Sequence, residues 1–255
     1  MLLAIDIGNS NIILGVLDND ELKATWRIVT AVHRMPDEYA SLLLSFFDRK
    51  GISTSQITDA ALCSVVPPLV SVFEEVCLRY FTIRPLTVEA GVKTGVRICM
   101  DNPKEVGADR IVNAVAAHRL YGGPAIVIDL GTATTFDAVS ADGEYLGGAI
   151  APGITIATEA LFSRTAVLPR VELTHPKRAI GTNTVAAMQS GIVYGYVGLI
   201  ENIVAKISKE LGGKAKVIAT GGYANLLAEE TSIIETVNPD LTMIGLNLIY
   251  QMNKP

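Results

Sequence analysis

The chain has 255 residues, of which 49% are hydrophobic and 18% charged, and carries a formal net charge of -5. That length and apolar content describe a globular protein with one large domain or two small ones. The acidic balance, with no Lys/Arg cluster, excludes a general nucleic-acid binder, so any affinity for phosphate must be local.

In chain order, Met1 to Ile5 is an apolar run without a basic flank, interrupted by Asp6. It reads as a buried strand rather than a signal peptide, and no later stretch approaches the ~20 apolar residues of a membrane span. Leu2 to Arg27 reads as strand and hairpin with a turn at Asp18-Asn19-Asp20. Pro36 to Lys50 reads as a helix with Leu42, Leu43, Phe46 and Phe47 on one face. Ala60 to Val66 is an apolar strand that Pro67-Pro68 stops, Leu69 to Tyr80 has helical spacing, and Leu86-Thr87-Val88 is a short strand. A helix from Val106 to Tyr121 is closed by Gly122-Gly123-Pro124.

Ala125 to Val139 supplies two strands. Gly147 to Gly153 reads as a flexible, close-approach loop ahead of a helix at Ile154 to Leu161. Thr182 to Glu210 is a long helical region in which Gly191, Gly195 and Gly198 give a thin face suited to close packing, across a dimer interface for example. Lys216 to Thr220 is a last strand running into Gly221-Gly222, and Leu241 to Met252 a final helix. Strands followed by helices imply an α/β layer structure.

Cys63, Cys77 and Cys99 are odd in number, widely spaced and without Cys-x-x-Cys. They indicate neither a disulfide framework nor a zinc site, and they point to a reducing cytoplasm. His33, His118 and His175 are isolated, and no local Ser/His/Asp arrangement or His-Glu-x-x-His can be assembled.

The chemistry lies in a repeat. Ala4-Ile5-Asp6-Ile7-Gly8-Asn9-Ser10-Asn11 returns as Val127-Ile128-Asp129-Leu130-Gly131-Thr132-Ala133-Thr134-Thr135. Each copy is an apolar strand ending in Asp-x-Gly and small hydroxyl or amide residues, and each is followed by a second strand and a turn at nearly the same offset. Gly lets a phosphate approach the backbone N–H groups, while Ser, Thr and Asn add donors. A carboxylate beside phosphates repels them unless a cation lies between, so Asp6 and Asp129 read as holders of Mg²⁺ or of a water-mediated cation. Asn9, Ser10 and Asn11 would also serve simply to shape a hairpin. The matched register of the two copies favours phosphate, and it places the boundary between the duplicated halves near residues 113 to 124. Asp137 reads as structural.

Two such units, followed by a strand into Thr220-Gly221-Gly222, resemble the actin, sugar-kinase and Hsp70 superfamily. The resemblance implies two duplicated actin-like (ribonuclease H-like) lobes, residues 1–115 and 116–255, with a nucleotide cleft between them. The segment Asp101-Asn102-Pro103-Lys104-Glu105-Val106-Gly107-Ala108-Asp109-Arg110 is more particular, with Asp6 to Asn11 before it and Gly147 to Gly153 after it. Together these motifs, spread over essentially the whole chain, resemble the type III pantothenate kinases.

That resemblance implies a kinase using ATP with Mg²⁺ and a monovalent cation (K⁺ or NH₄⁺), with pantothenate as acceptor, in a cytoplasmic homodimer whose substrate pocket lies close to the subunit interface. It makes Asp6, Ile7, Gly8, Asn9, Ser10, Asn11, Ile12 and Ile13 the first phosphate-binding turn, Asp109 the catalytic base and Asp129 the monovalent-cation ligand. Thr132 would bind ATP, with Gly221 and Gly222 near the adenosine. Gly107, Ala108, Asp109, Arg110 and Thr184 would contact pantothenate. Where many relatives carry a Tyr in the acceptor pocket this chain has Met100, whose flexible side chain can pack on the apolar part of a ligand.

Two of these residues have plain structural readings beside the functional ones. Asp109 falls in the first turn of its helix, where a carboxylate favours the dipole and the unpaired N–H groups. Thr184 lies where Thr often caps a helix. Two other functions remain open to the sequence: a superfamily kinase acting on another small hydroxylated acid, and a nucleotide-binding regulator without turnover.

Overall fold

Leu2–Ile7 (β1) is buried at every position except Asp6, the pattern of a strand covered on both faces. In the computed structural model, which describes residues 1–254, this strand is the centre of a five-stranded sheet. Asn11–Asp18 (β2) and Glu21–Val29 (β3) continue from it as an antiparallel meander, with Asn19 in the left-handed region at the β2–β3 turn. Pro36–Lys50 (α1) leads to Asp59–Ser64 (β4), parallel to β1, and Pro67–Phe81 (α2) leads to the short Leu86–Thr87 (β5) beside β4.

The bounds of α1 are those expected. Pro36 opens it, the Met35 backbone N–H donates to Glu38 Oε2 at 2.8 Å, and Gly51 closes it at φ +67°. Pro67-Pro68 does not separate strand from helix; it forms the first residues of α2, where the missing N–H would have had no intrahelical partner.

Ala108–Tyr121 (α3) and Leu241–Asn253 (α7) bracket the second half in sequence. Between them, Ala125–Leu130 (β6), Ala133–Val139 (β7) and Tyr145–Pro152 (β8) form a second antiparallel meander. Ile154–Ser163 (α4), Thr184–Glu210 (α5), Lys216–Gly221 (β9), Ala224–Ala228 (α6) and Thr236–Val237 (β10) follow. The first sheet runs β3-β2-β1-β4-β5 and the second β8-β7-β6-β9-β10. Strand for strand, the order and the directions coincide, so the sequence repeat is a repeat of topology.

Gly147 to Pro152 is not a flexible loop. It is most of β8, paired along its length with β7. The glycines that suggested mobility are there because backbone comes close: a Cβ on Gly148 would sit 1.7 Å from the Phe136 carbonyl oxygen, and one on Gly153 would sit 2.1 Å from the Thr132 carbonyl oxygen.

The chain forms two compact units. One comprises residues 1–95, 102–116 and the segment from Thr242 onward; the other comprises 96–101 and 117–241. The contiguous halves expected from the repeat, 1–115 and 116–255, thus differ from the packed units, because α7 from Thr242 packs with the first.

In the first unit Leu3, Ile5 and Ile7 of β1 pack under α1 and α2 against Tyr39, Leu43, Phe47 and Phe73. Alternation along a strand sends Asp6 to the opposite face. That face also meets α7 at Gly15, where a Cβ would lie 2.7 Å from Met243 Sδ, and α7 in turn crosses α3 closely, because a Cβ on Gly245 would lie 2.2 Å from the Val112 carbonyl oxygen. In the second unit Ile126, Ile128, Leu130 and Phe136 pack against Ile192, Val193, Tyr196 and Ile200 of α5, which sends Asp129 to the other face of its sheet.

Candidate active site

The first Asp-x-Gly turn joins β1 to β2 through Gly8, Asn9 and Ser10. The Gly8 N–H donates to the Asn11 carbonyl at 3.0 Å and closes it. Thr30, just past β3, clamps it from the side: its hydroxyl donates to the Gly8 carbonyl at 2.6 Å and its N–H donates to the Ser10 carbonyl at 3.1 Å. Asn9, Ser10 and Asn11 are left exposed. Ile7 and Ile12 are buried in the core, so within Asp6 to Ile13 these two can meet a ligand only through their backbones.

Asp6 is directly opposite Cys63 in the parallel β1–β4 register, and the Cys63 thiol donates to Asp6 Oδ1 at 3.3 Å. Burial pushes that thiol well above its usual range, and the negative charges of Asp6 and then Asp109 push it further. Asp109 therefore shares this neighbourhood, and Asp6, Cys63 and Asp109 all belong to the first unit.

Asp109 is in the first turn of α3, and its Oδ1 accepts from the Arg110 N–H at 2.8 Å. Burial raises its pKa above the ordinary carboxylate value; the Arg110 N–H and the Arg110 charge oppose the rise without cancelling it. The carboxylate is thus a better proton acceptor than a surface aspartate. Gly107 is its neighbour on the other side. A Cβ there would fall 2.5 Å from Asp109 Oδ1 and 3.4 Å from Val65 Cγ1, so glycine leaves the space the carboxylate occupies. The same residue starts the helix, since its carbonyl accepts from Arg110 and Ile111. Asp109 therefore serves the helix terminus and stands beside Asp6's neighbour Cys63 at once.

The second turn, Gly131 and Thr132 between β6 and β7, closes by the Gly131 N–H donating to the Ala133 carbonyl at 3.1 Å. Asp129 is aligned with Thr135 on β7 and Thr220 on β9. Strand register thus brings three oxygen-bearing side chains into one row on one face. Asp137, next along that face, is fully buried and accepts from Tyr145 Oη at 2.7 Å and Thr135 Oγ1 at 3.1 Å, a structural role. Gly221, at φ +95°, abuts the Leu130 backbone, where a Cβ would lie 2.6 Å from the carbonyl carbon, and Gly222 beyond it is exposed.

Elsewhere in the second unit, the chain at Arg97 to Cys99 bonds to Tyr145, and Met100 lies over Gly147, where a Cβ would be 3.7 Å from its Cγ. Asn183, not Thr184, caps α5: its Oδ1 accepts from the Ala186 N–H at 2.9 Å. Thr184 instead lines a cavity of about 620 Å³ with Leu161, Leu168, Thr182, Met188 and Ile192. Cys63 and Thr30 were not among the residues expected from sequence.

The donor sets fit the implied cations. Asp6 offers a hard carboxylate oxygen beside exposed amide and hydroxyl groups, which suits a Mg²⁺ that keeps waters and phosphate oxygens as its other ligands. Among the described residues no three His, Cys, Asp or Glu side chains converge as a metal cage. Asp129 with Thr135 and Thr220 supplies oxygen donors only, which suits a hard monovalent ion.

A family model described as type III pantothenate kinase matches residues 2–206. The chain is 54% identical over 253 residues to the type III pantothenate kinase of Dehalococcoides mccartyi, covering 99% of this chain and 96% of that protein. It is 53% identical to the type III pantothenate kinase of Moorella thermoacetica, covering 99% and 100%. Among solved structures, an inorganic polyphosphate/ATP-glucomannokinase from an Arthrobacter species aligns over 99% of this chain and 98% of that one with a TM-score of 0.50 at 12% identity, a likeness of fold. With the two matching sheets, that likeness gives a duplicated actin-like architecture.

Proposed function

The chain belongs to the type III pantothenate kinase family and is an ATP-dependent pantothenate kinase. From that premise we propose how its residues divide the transfer of the γ-phosphoryl of ATP to the 4'-hydroxyl of pantothenate, the first step of coenzyme A biosynthesis.

Phosphoryl transfer asks a protein mainly for positioning and charge neutralisation. The Gly8 to Asn11 turn cradles phosphate oxygens through backbone N–H, amide and hydroxyl donors, with Asp6 at its foot and Ile7, Ile12 and Ile13 setting its backbone. Asp6 would hold Mg²⁺, which when bound would supply neutralisation of the negative charge on the triphosphate. Asp129 would hold K⁺ or NH₄⁺, Thr132 would contact ATP, and Gly221 and Gly222 would let the adenosine lie against backbone.

Asp109 accepts a hydrogen bond from the primary alcohol of pantothenate, aims it along the line of transfer and takes its proton late. Arg110 grips the carboxylate end of the acceptor through a two-pronged contact. Gly107 and Ala108 shape that end of the pocket, while Met100 and Thr184 contact the acceptor. We also propose that the protein acts in the cytoplasm as a homodimer, with duplicated halves 1–115 and 116–255. Support for the dimer comes from exposed apolar residues of the second unit, Phe162, Val167, Ile180 and Val185, and from the α5 glycines, beside which a single chain leaves open space.

The observation that carries the residue assignment is the grouping of Asp6, Cys63 and Asp109, which joins a phosphate turn to a carboxylate of raised basicity. The test is to incubate the protein with Mg-ATP and pantothenate, with and without K⁺, and identify the product by mass and phosphorus resonance. Phosphopantothenate formed faster with K⁺ is expected. Phosphorylation of glycerol or a sugar but not of pantothenate, or nucleotide binding without turnover, would refute the assignment.

A further inference from the structure

We propose that Cys63 is a positioning residue for the transfer: its thiol fixes the carboxylate of Asp6 in the orientation that receives the magnesium-bound phosphate. The proposal rests on the reading that Asp6 holds that metal.

Asp6 ends a buried strand, and the end of its side chain must be held in one rotamer if a cation is to find it in place. An ionised carboxylate only accepts hydrogen bonds, so the group that orients it must be a donor. Cys63 meets that need. It is fully buried, directly opposite Asp6 in register, and donates to Oδ1 at 3.3 Å.

A second, independent observation comes from the other unit. Asp129 stands to Thr220 on β9 as Asp6 stands to Cys63 on β4: in each case the partner is on the adjacent parallel strand, at the same register step, and buried, with Thr220 3% exposed. Cys and Thr differ in size and polarity but share one donor hydrogen on a short side chain. The duplicated fold thus keeps a donor beside each acid at the same point of both sheets. The oxidation and metal chemistry usually sought at a cysteine plays no part.

The experiment compares the full-length wild type with Cys63→Ala, Cys63→Ser, Cys63→Thr and Asp6→Asn. It reads the Mg²⁺ concentration for half-saturation of ADP binding by calorimetry, kcat and KM for ATP and for pantothenate, and Tm. For Cys63→Ala the half-saturating Mg²⁺ and the KM for ATP should rise about tenfold, the low end for loss of an outer-shell partner of a metal ligand. The KM for pantothenate should change less than about twofold. Cys63→Ser and Cys63→Thr restore a donor and should return the Mg²⁺ dependence to within about twofold of wild type.

A merely space-filling cysteine would change Tm and leave the Mg²⁺ dependence alone. Should Cys63→Ala fail to fold, Cys63→Val, apolar and the same shape as the threonine of Cys63→Thr, takes its place. If Asp6→Asn weakens Mg²⁺-dependent ADP binding while the donorless variant matches wild type, the role of Cys63 falls and the reading of Asp6 stands. If Asp6→Asn itself leaves that binding unchanged, both fall.

Discussion

Asp109, the proposed base, meets opposite demands on its charge. At the start of α3 an ionised carboxylate is welcome to the helix dipole and to the Arg110 N–H, yet burial disfavours that same charge and wins, holding the pKa above the ordinary carboxylate value. The acid limb of kcat/KM should fall at a pH above the ~3.9 of a free aspartate, because a protonated Asp109 cannot take the alcohol's proton. Linkage gives the sign for stability: a group whose folded pKa is raised stabilises the fold at low pH, and that contribution is lost as pH rises from the unfolded value through the folded one. Asp109→Asn, free of the charge, should therefore have a Tm at neutral pH equal to or above wild type, and calorimetry against pH checks it. Gly107→Ala bears on the same carboxylate sterically. The added Cβ, 2.5 Å from Asp109 Oδ1, pushes a side-chain end rather than backbone, so the variant should fold while kcat drops on the order of 100-fold, as for a catalytic group displaced by about 1 Å.

At the scale of elements, glycines distinguish packed backbone from open surface. A side chain on Gly148 would collide with the Phe136 carbonyl, which cannot move without parting β7 from β8, so Gly148→Ala should cost about 3 kcal/mol in denaturant melts. Gly195 in α5 has nothing within 4 Å of where its Cβ would be, and alanine is the better helix former by about 1 kcal/mol. Gly195→Ala should thus stabilise the isolated chain but weaken the proposed dimer, a combination that sedimentation at several concentrations together with thermal melts would separate.

The sequence made both features visible as Gly-rich stretches without distinguishing them. Spacing reports that side chains are absent, and only the pairing of β8 with β7 shows why they must be. Helix α1 was legible to its ends because its Pro, acidic first turn and closing Gly are all local signals. The start of α2 was not, because a Pro pair reads equally as a stop and as a first turn.

For the whole molecule, the repeat was the most informative signal, and it reappears as two sheets of identical strand order. Extended one strand further it would also have aligned Cys63-Ser64 with Thr220-Gly221, and so found the donor beside each acid. Thr30 had no such signal, since its hold on Gly8 and Ser10 depends on how the end of β3 falls against a turn twenty-two residues earlier. The course of α7, which from Thr242 joins the first unit, was hidden for the same reason: it is fixed by long-range packing of Gly245 on α3 and Met243 on Gly15.

In the proposed mechanism a half-buried carboxylate, Asp109, aims and deprotonates the acceptor alcohol. The direct measurement is single-turnover formation of phosphopantothenate by the wild type and Asp109→Asn, both saturated with Mg-ATP and pantothenate. A loss of about 10²- to 10⁴-fold in the transfer rate, with nucleotide affinity unchanged, is predicted. A variant that transfers phosphate at the wild-type rate would exclude Asp109 as the group that takes the alcohol's proton.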